Sequence, residues 1–317
     1  VRRRYIFVLF VLSQFLRPSQ LLGANLADFE DYSLRNSSGQ VVLPGRLFTP
    51  PEAIIDPNVA RPLMIYLHGG AAIGSDNVTQ VLQTPDYMLE EAKLRGAYLY
   101  VPQAPVAPTG WVTPSYLDAA MTMIDRAIAE KNADADRLYA TGYSNGGGGV
   151  WSLLSRNHGR FAAAFAMSGI MPASGFNPAN LLGTAILTLH ARDDATVPVA
   201  RTRTVVNGIL AAAGAPLPSY PPTGSTLVFL ASNPYFAFHR DVAASMPPGS
   251  ALFSIARSDL DLMYLETPDG GHTGLLGAFY SPDVYSWLFD HSLSPEPTGL
   301  FYLLYCLPLL ARVRRRT

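Results

Sequence analysis

The sequence predicts an α/β protein built on a mostly parallel sheet with helices on both faces. Three observations carry this. Short apolar runs recur along the chain, stretches of helical spacing lie between them, and the chemically suggestive residues fall just after the runs. Strands that alternate with helices call for a parallel sheet covered on both faces, and ligands bind such sheets beyond the carboxyl ends of the strands.

The runs that read as buried strands are Leu63–Leu67, Ala97–Val101, Arg137–Ala140, Phe161–Met167, Ala185–Leu189 and Leu260–Leu265. Tyr116–Lys131 sets Leu117, Ala120, Met121, Ile124, Ala127 and Ile128 on one helical face, with its acids and Lys131 mostly off it. Val150–Leu154 and Ala200–Ala213 read as further helices. No internal repeat or low-complexity linker interrupts residues 25–296, which read as one domain.

The 317 residues carry 23 Lys+Arg against 24 Asp+Glu, a formal charge of −1, but the charges are segregated. Residues 1–24 and 297–317 each hold four arginines and no acid, so the 272 residues between them hold 15 basic against 24 acidic residues, a charge of −9. A body so acidic, with Lys93 and Lys131 as its two lysines, is unsuited to neutralising phosphates, which sets nucleic-acid binding aside. Cys306 is the single cysteine, so neither an intrachain disulfide nor a cysteine-based zinc site is expected.

Both ends read as addresses. Arg2–Arg4, the apolar run after them and the small residues at Gly23–Ala24 have the order of a secretory signal peptide spanning 1–24, with the cut placed only to within several residues. At the other end, Ser294-Pro295-Glu296-Pro297 precedes the apolar stretch Leu300–Ala311 and a cluster of arginines. This tail, 294–317, resembles the PEP-CTERM sorting signal of Gram-negative bacteria. The resemblance implies processing by an exosortase-type enzyme, transient membrane contact through the tail and a secreted or cell-surface location. Export and sorting machinery are then the partners of the two termini.

Four strand ends carry chemistry. After the run ending at Ala140 comes Gly142-Tyr143-Ser144-Asn145-Gly146, a G-x-S-x-G pentapeptide whose glycines permit the sharp strand-to-helix turn that exposes a serine hydroxyl. After Leu67 comes His68-Gly69-Gly70-Ala71, a loop of the kind that offers backbone N–H groups to an oxyanion. After Leu189 comes His190-Ala191-Arg192-Asp193-Asp194, where Asp194 stands at the spacing of a triad acid before Val197-Pro198 and Asp193 is the alternative. After the last strand comes Asp269-Gly270-Gly271-His272.

Together these features resemble the α/β-hydrolase fold, which implies the chain order Ser144, Asp194, His272 for a catalytic triad. Gly74-Ser75-Asp76-Asn77, Pro102-Gln103-Ala104-Pro105, Trp111, Asp136-Arg137-Leu138-Tyr139 and Ser286-Trp287-Leu288-Phe289 extend the likeness across residues 40–292. They resemble the bacterial esterases called "predicted peptidases", related to polyhydroxybutyrate-depolymerase-like and feruloyl esterases. The resemblance implies a serine esterase without metal or cofactor. Ser144 is then the nucleophile, His272 the base and Asp194 its partner, with the N–H groups of Asn145 and of Gly70 or Ala71 as the oxyanion hole. His158, His239 and His291 compete less well. His68 and His190 read as structural or pocket-lining, and His68, Trp111 and Tyr143 join the candidate substrate-binding residues.

Between Ala213 and Leu260 the chain is longer than one connection needs. Residues 216–255 read either as a lid, with Tyr235, Phe236 and Phe238 on the substrate wall, or as an insertion packed outside the sheet. The expected substrate is an ester outside the cytoplasm, such as an acylated polysaccharide or a polyester. Peptide hydrolysis by the same triad and a non-catalytic surface-binding module are the competing readings.

Overall fold

The structure is a computed structural model that describes residues 23–106, 109–220 and 260–294 and the backbone of 253–257. Residues 1–22 of the expected signal peptide, the part of the 216–255 stretch that includes Tyr235, Phe236 and Phe238, and the tail from residue 295 lie outside the described residues.

In chain order the strands are β1 Glu30–Asp31, β2 Leu34–Arg35, β3 Val41–Leu43, β4 Gly45–Phe48, β5 Arg61–Leu67, β6 Tyr98–Pro102, β7 Ala133–Tyr143, β8 Ala163–Met167, β9 Ala185–Ala191, β10 Phe253–Arg257 and β11 Leu262–Thr267. Nine of them form one sheet in the order β1-β4-β6-β5-β7-β8-β9-β11-β10, and β2 pairs with β3 separately. From β6 to β11 every pairing is parallel, whereas β1, β4 and β10 run antiparallel at the two edges.

The helices are α1 Pro51–Ile55, α2 Thr79–Leu82, α3 Asp86–Leu94, α4 Pro114–Lys131, α5 Asn145–Arg156, α6 Ala200–Ala212 and α7 Pro282–Phe289. The central strands are buried on both faces, so they appear as continuous apolar runs rather than alternating ones. In β5, Leu63, Ile65 and Leu67 join the core beneath α4, α5 and α6, while Met64 and Tyr66 join the opposite core beneath α3 and α7. The longest helix, α4, starts with Pro114 and stops at Asn132, whose φ of 54° ends the helical path.

Three departures from the sequence reading have physical causes. The run Arg137–Ala140 is the apolar centre of an 11-residue strand, β7, that continues directly into the nucleophile turn. The helix expected from Val150 starts five residues earlier at Asn145, because a glycine run conceals it from helix propensity. Strand β10 pairs with β11 from Phe253↔Glu266 to Arg257↔Leu262, so residues 253–255 of the expected insertion belong to the central sheet. The two-residue edge strand β1 is too short to show any periodicity.

Candidate active site

A sharp turn ends β7. Ser144 has φ 57° and ψ −114°, a strained conformation for a residue with a Cβ. Its N–H donates to Met167 O at 2.9 Å, and its carbonyl accepts from Gly148 N–H and Ile170 N–H, each at 3.1 Å. The flanking glycines are required by close approach. A Cβ on Gly142 would stand 2.5 Å from Gly146 O, and one on Gly146 would stand 1.8 Å from Leu67 O.

His272 reaches the serine from the loop after β11. Its Nε2 lies 2.8 Å from Ser144 Oγ, and its Nδ1 lies 2.7 Å from Asp194 Oδ2. Because the carboxylate only accepts, Nδ1 carries the proton and Nε2 is left to accept from the serine hydroxyl. Gly270 and Gly271 take φ values of 125° and 55° to aim this loop. Tyr143 supports the ring from below, with ring centroids 5.0 Å apart and its hydroxyl donating to His272 O at 2.9 Å. Burial pushes the Tyr143 phenol up to about 12, so it remains a donor.

Asp194 and Asp193 have separate tasks. Asp194 Oδ1 accepts from Thr196 N–H at 2.9 Å and Val197 N–H at 2.8 Å, while Oδ2 faces the His272 ring. Burial pushes its carboxyl up, but the bonds from His272 and Val197 and the nearby imidazoles outweigh that, and the net direction is downward. Asp193 accepts Gly271 N–H at 2.7 Å and thus anchors the histidine loop rather than the histidine.

The loop after β5 forms a 3-10 turn, Gly70–Ala72, capped by Gly69. The N–H groups of Gly70 and Ala71 open this turn, and that of Asn145 opens α5, so none has an acceptor within its own helix. Gly70, Ala71 and Ser144 line one cavity of about 540 Å³. The Asn145 side chain points elsewhere: Oδ1 accepts Trp111 N–H at 2.8 Å and Nδ2 donates to Thr109 O at 3.3 Å.

His68 and Trp111 are not on the cavity wall, which corrects the sequence reading. Both are fully buried, with rings 5.2 Å apart edge to face. His68 Nδ1 donates to Gly69 O at 2.7 Å and Nε2 accepts from Ala104 N–H at 3.0 Å. Burial lowers the imidazole to about 4, so it is neutral near pH 7 and ties the oxyanion loop to the strand end beside it.

The wall itself is largely apolar and holds Tyr143, a candidate from the sequence, beside side chains that the sequence does not single out. Tyr66, Tyr143, Leu276 and Tyr280 form one part, and Gly23, Leu82 and Pro85 another. No motif marks Tyr66, Leu82, Pro85, Leu276 or Tyr280; only the folded sheet brings them together. Gly23 bridges Pro85, and Ala24 N–H donates to Thr84 O at 2.8 Å. Of the expected signal segment, Ala24 is therefore buried in the body and Gly23 is held at its surface. Among the described residues, no three His, Cys, Asp or Glu side chains gather in a way that could hold a metal ion.

The fold is shared with known structures. The chain has the α/β-hydrolase fold. A thermostable esterase superposes with a TM-score of 0.59 and 23% identity, over 84% of this chain and 64% of the esterase, so the chain spans less than two thirds of that protein. The acetyl xylan esterase from Aspergillus awamori superposes with a TM-score of 0.52 and 13% identity, over 82% of this chain and 98% of the esterase. No protein-family model matches the sequence, and no curated protein matches it.

Proposed function

We propose that this α/β-hydrolase-fold chain is a secreted serine esterase that cleaves carboxylic esters through an acyl-enzyme. The observation that carries the reading is the continuous chain Ser144 Oγ, His272, Asp194, with contacts of 2.8 and 2.7 Å, at the floor of an apolar cavity. A serine hydroxyl is weakly nucleophilic until an imidazole takes its proton.

As Ser144 Oγ bonds to the ester carbonyl carbon, His272 Nε2 receives the hydroxyl proton and Asp194 stabilises the resulting imidazolium. The carbonyl oxygen becomes an oxyanion, met by the N–H groups of Asn145 and of Gly70 or Ala71. Collapse breaks the bond to the alcohol oxygen, which leaves with the proton from His272. Water then attacks the acyl-enzyme, gives its proton to His272, and the acid departs as Ser144 regains its hydrogen.

The tyrosine-lined wall and the charge of −9 on the central 272 residues favour neutral, partly apolar acyl groups over polyanions. With both termini read as export and sorting addresses, the proposed substrates are acylated polysaccharides or polyesters outside the cytoplasm. The test is a panel of p-nitrophenyl esters and peptide substrates with Ser144→Ala as control. Ester turnover and fluorophosphonate labelling are expected in the wild type and absent from the variant. Peptide cleavage without ester turnover would favour the peptidase, and labelling of the variant would remove Ser144 from its role.

A further inference from the structure

His190 lies at the end of β9, fully buried, four residues before Asp194. Its Nε2 is 2.8 Å from Val197 O and 3.2 Å from Asp194 Oδ2, and its Nδ1 is 2.7 Å from Thr202 Oγ1 on α6. A carbonyl and a carboxylate can only accept, so Nε2 carries a hydrogen. Burial drives the imidazole toward its neutral form, which leaves Nδ1 bare to accept the Thr202 hydroxyl hydrogen. The Nε2–H donates to Val197 O, and Asp194 Oδ2 lies 3.2 Å from the same nitrogen. Asp194 then receives two backbone N–H groups on Oδ1 and the His272 N–H on Oδ2, with the His190 ring nitrogen 3.2 Å from that second oxygen.

We propose that His190 is a positioning residue for Asp194: its Nε2–H fixes Val197, whose own N–H holds Asp194 Oδ1, and faces Oδ2 at 3.2 Å, while Thr202 selects the tautomer that makes this donor available. The assignment rests on the serine-hydrolase reading of Ser144 and His272. Charge is the reason for a neutral donor. A cation beside Asp194 would oppose the imidazolium that forms on His272 during turnover, whereas a neutral N–H orients the carboxylate without that repulsion. The charged groups around His190 are Asp194 and His272 ahead of it and Glu266 beside it on β11, where Glu266 pairs with Arg203 of α6 and with Arg192.

The test uses the full chain with His190→Phe, His190→Gln and Thr202→Val. His190→Phe keeps ring volume and removes both nitrogens. Losing the bond to Val197 O and the N–H that faces the carboxylate is expected to lower kcat on a p-nitrophenyl ester by roughly tenfold, with KM unchanged. The acid limb of kcat/KM is expected to move to higher pH, because a carboxylate relieved of one donor holds the His272 proton more strongly. Thr202→Val should move both quantities in the same direction by less, and His190→Gln, which restores an N–H, should recover much of the rate.

Activity falling only in step with the folded fraction, with the acid limb unmoved in both His190→Phe and Thr202→Val, would overturn the proposal. If His190→Phe does not fold, Thr202→Val decides. A readout without turnover separates this failure from failure of the esterase reading. The downfield NMR resonance of His272 Nδ1–H is expected to shift in Thr202→Val on a Ser144→Ala background, whatever the substrate proves to be. An unmoved resonance there counts against His190 alone, and absence of wild-type ester turnover counts against the esterase reading alone.

Discussion

His272 Nδ1 and Asp194 Oδ2 lie 2.7 Å apart although 78 residues separate them in the chain. The contact exists because β9 and β11 are parallel neighbours, so their carboxyl ends release the acid loop and the histidine loop at one edge of the same cavity. Asp194→Asn replaces an acceptor by an amide able to donate to Nδ1, which favours the tautomer that cannot accept from Ser144. A loss of roughly a thousand- to ten-thousandfold in kcat is expected, measured by steady-state ester hydrolysis, with the fold retained by circular dichroism. Asp193→Asn keeps a carbonyl for Gly271 N–H and is expected to cost far less.

The buried His68 makes stability depend on acidity. The unfolded state takes up its proton near 6.5, the folded state only near 4. The folded pKa is depressed, so stability is fully present above about 6.5 and declines as pH falls, levelling off below about 4. The loss across this window is at most about 3 kcal/mol. Urea unfolding of the wild type and His68→Gln at several pH values checks this, because the variant should lack that part of the slope.

Gly146→Ala would set a methyl carbon 1.8 Å from Leu67 O, a backbone atom that cannot step aside. The expected outcome is a destabilisation of more than about 3 kcal/mol together with loss of fluorophosphonate labelling. Equilibrium unfolding of the purified variant measures the first.

Glu266 is fully buried between Arg203, at 2.8 Å from its Nε, and Arg192, at 3.4 Å from its Nε. Glu266→Ala leaves cations facing one another without their carboxylate. Removing one member of a buried ion pair is expected to cost about 3–5 kcal/mol, read as a lowered melting temperature. Glu266→Gln should recover part of this by keeping an acceptor.

Legibility in the sequence followed physical form. Ser144 and His272 stand in short loops after apolar runs, where residue type and spacing single them out; Asp193 and Asp194 are adjacent acids, and only the contact with His272 Nδ1 separates them. His68 occupies the same kind of position, yet its ring turns inward to bind backbone, a choice that depends on the packing of Trp111 and Ala104. The wall residues Tyr66 and Leu276 are separated by most of the chain and look like ordinary core residues. The sheet edges were unread because two-residue strands have no period and β10 follows a long connection.

The first turn of α5 consists almost wholly of glycine, from Gly146 to Gly149, because a Cβ there would meet Leu67 O, Met167 O, Ile170 or Trp111 at 1.8–2.8 Å. Each such glycine weakens a helix by about 1 kcal/mol relative to alanine, so this turn has no stability of its own. It persists only while β5, β8 and the turn at Trp111 press against it. Any opening that lifts β5, β8 or the Trp111 turn away is therefore expected to melt this turn, so the Gly148 amide hydrogen, held by Ser144 O, should exchange no more slowly than those of β5 and β8. The nucleophile is assembled and lost in the same cooperative transition as the sheet.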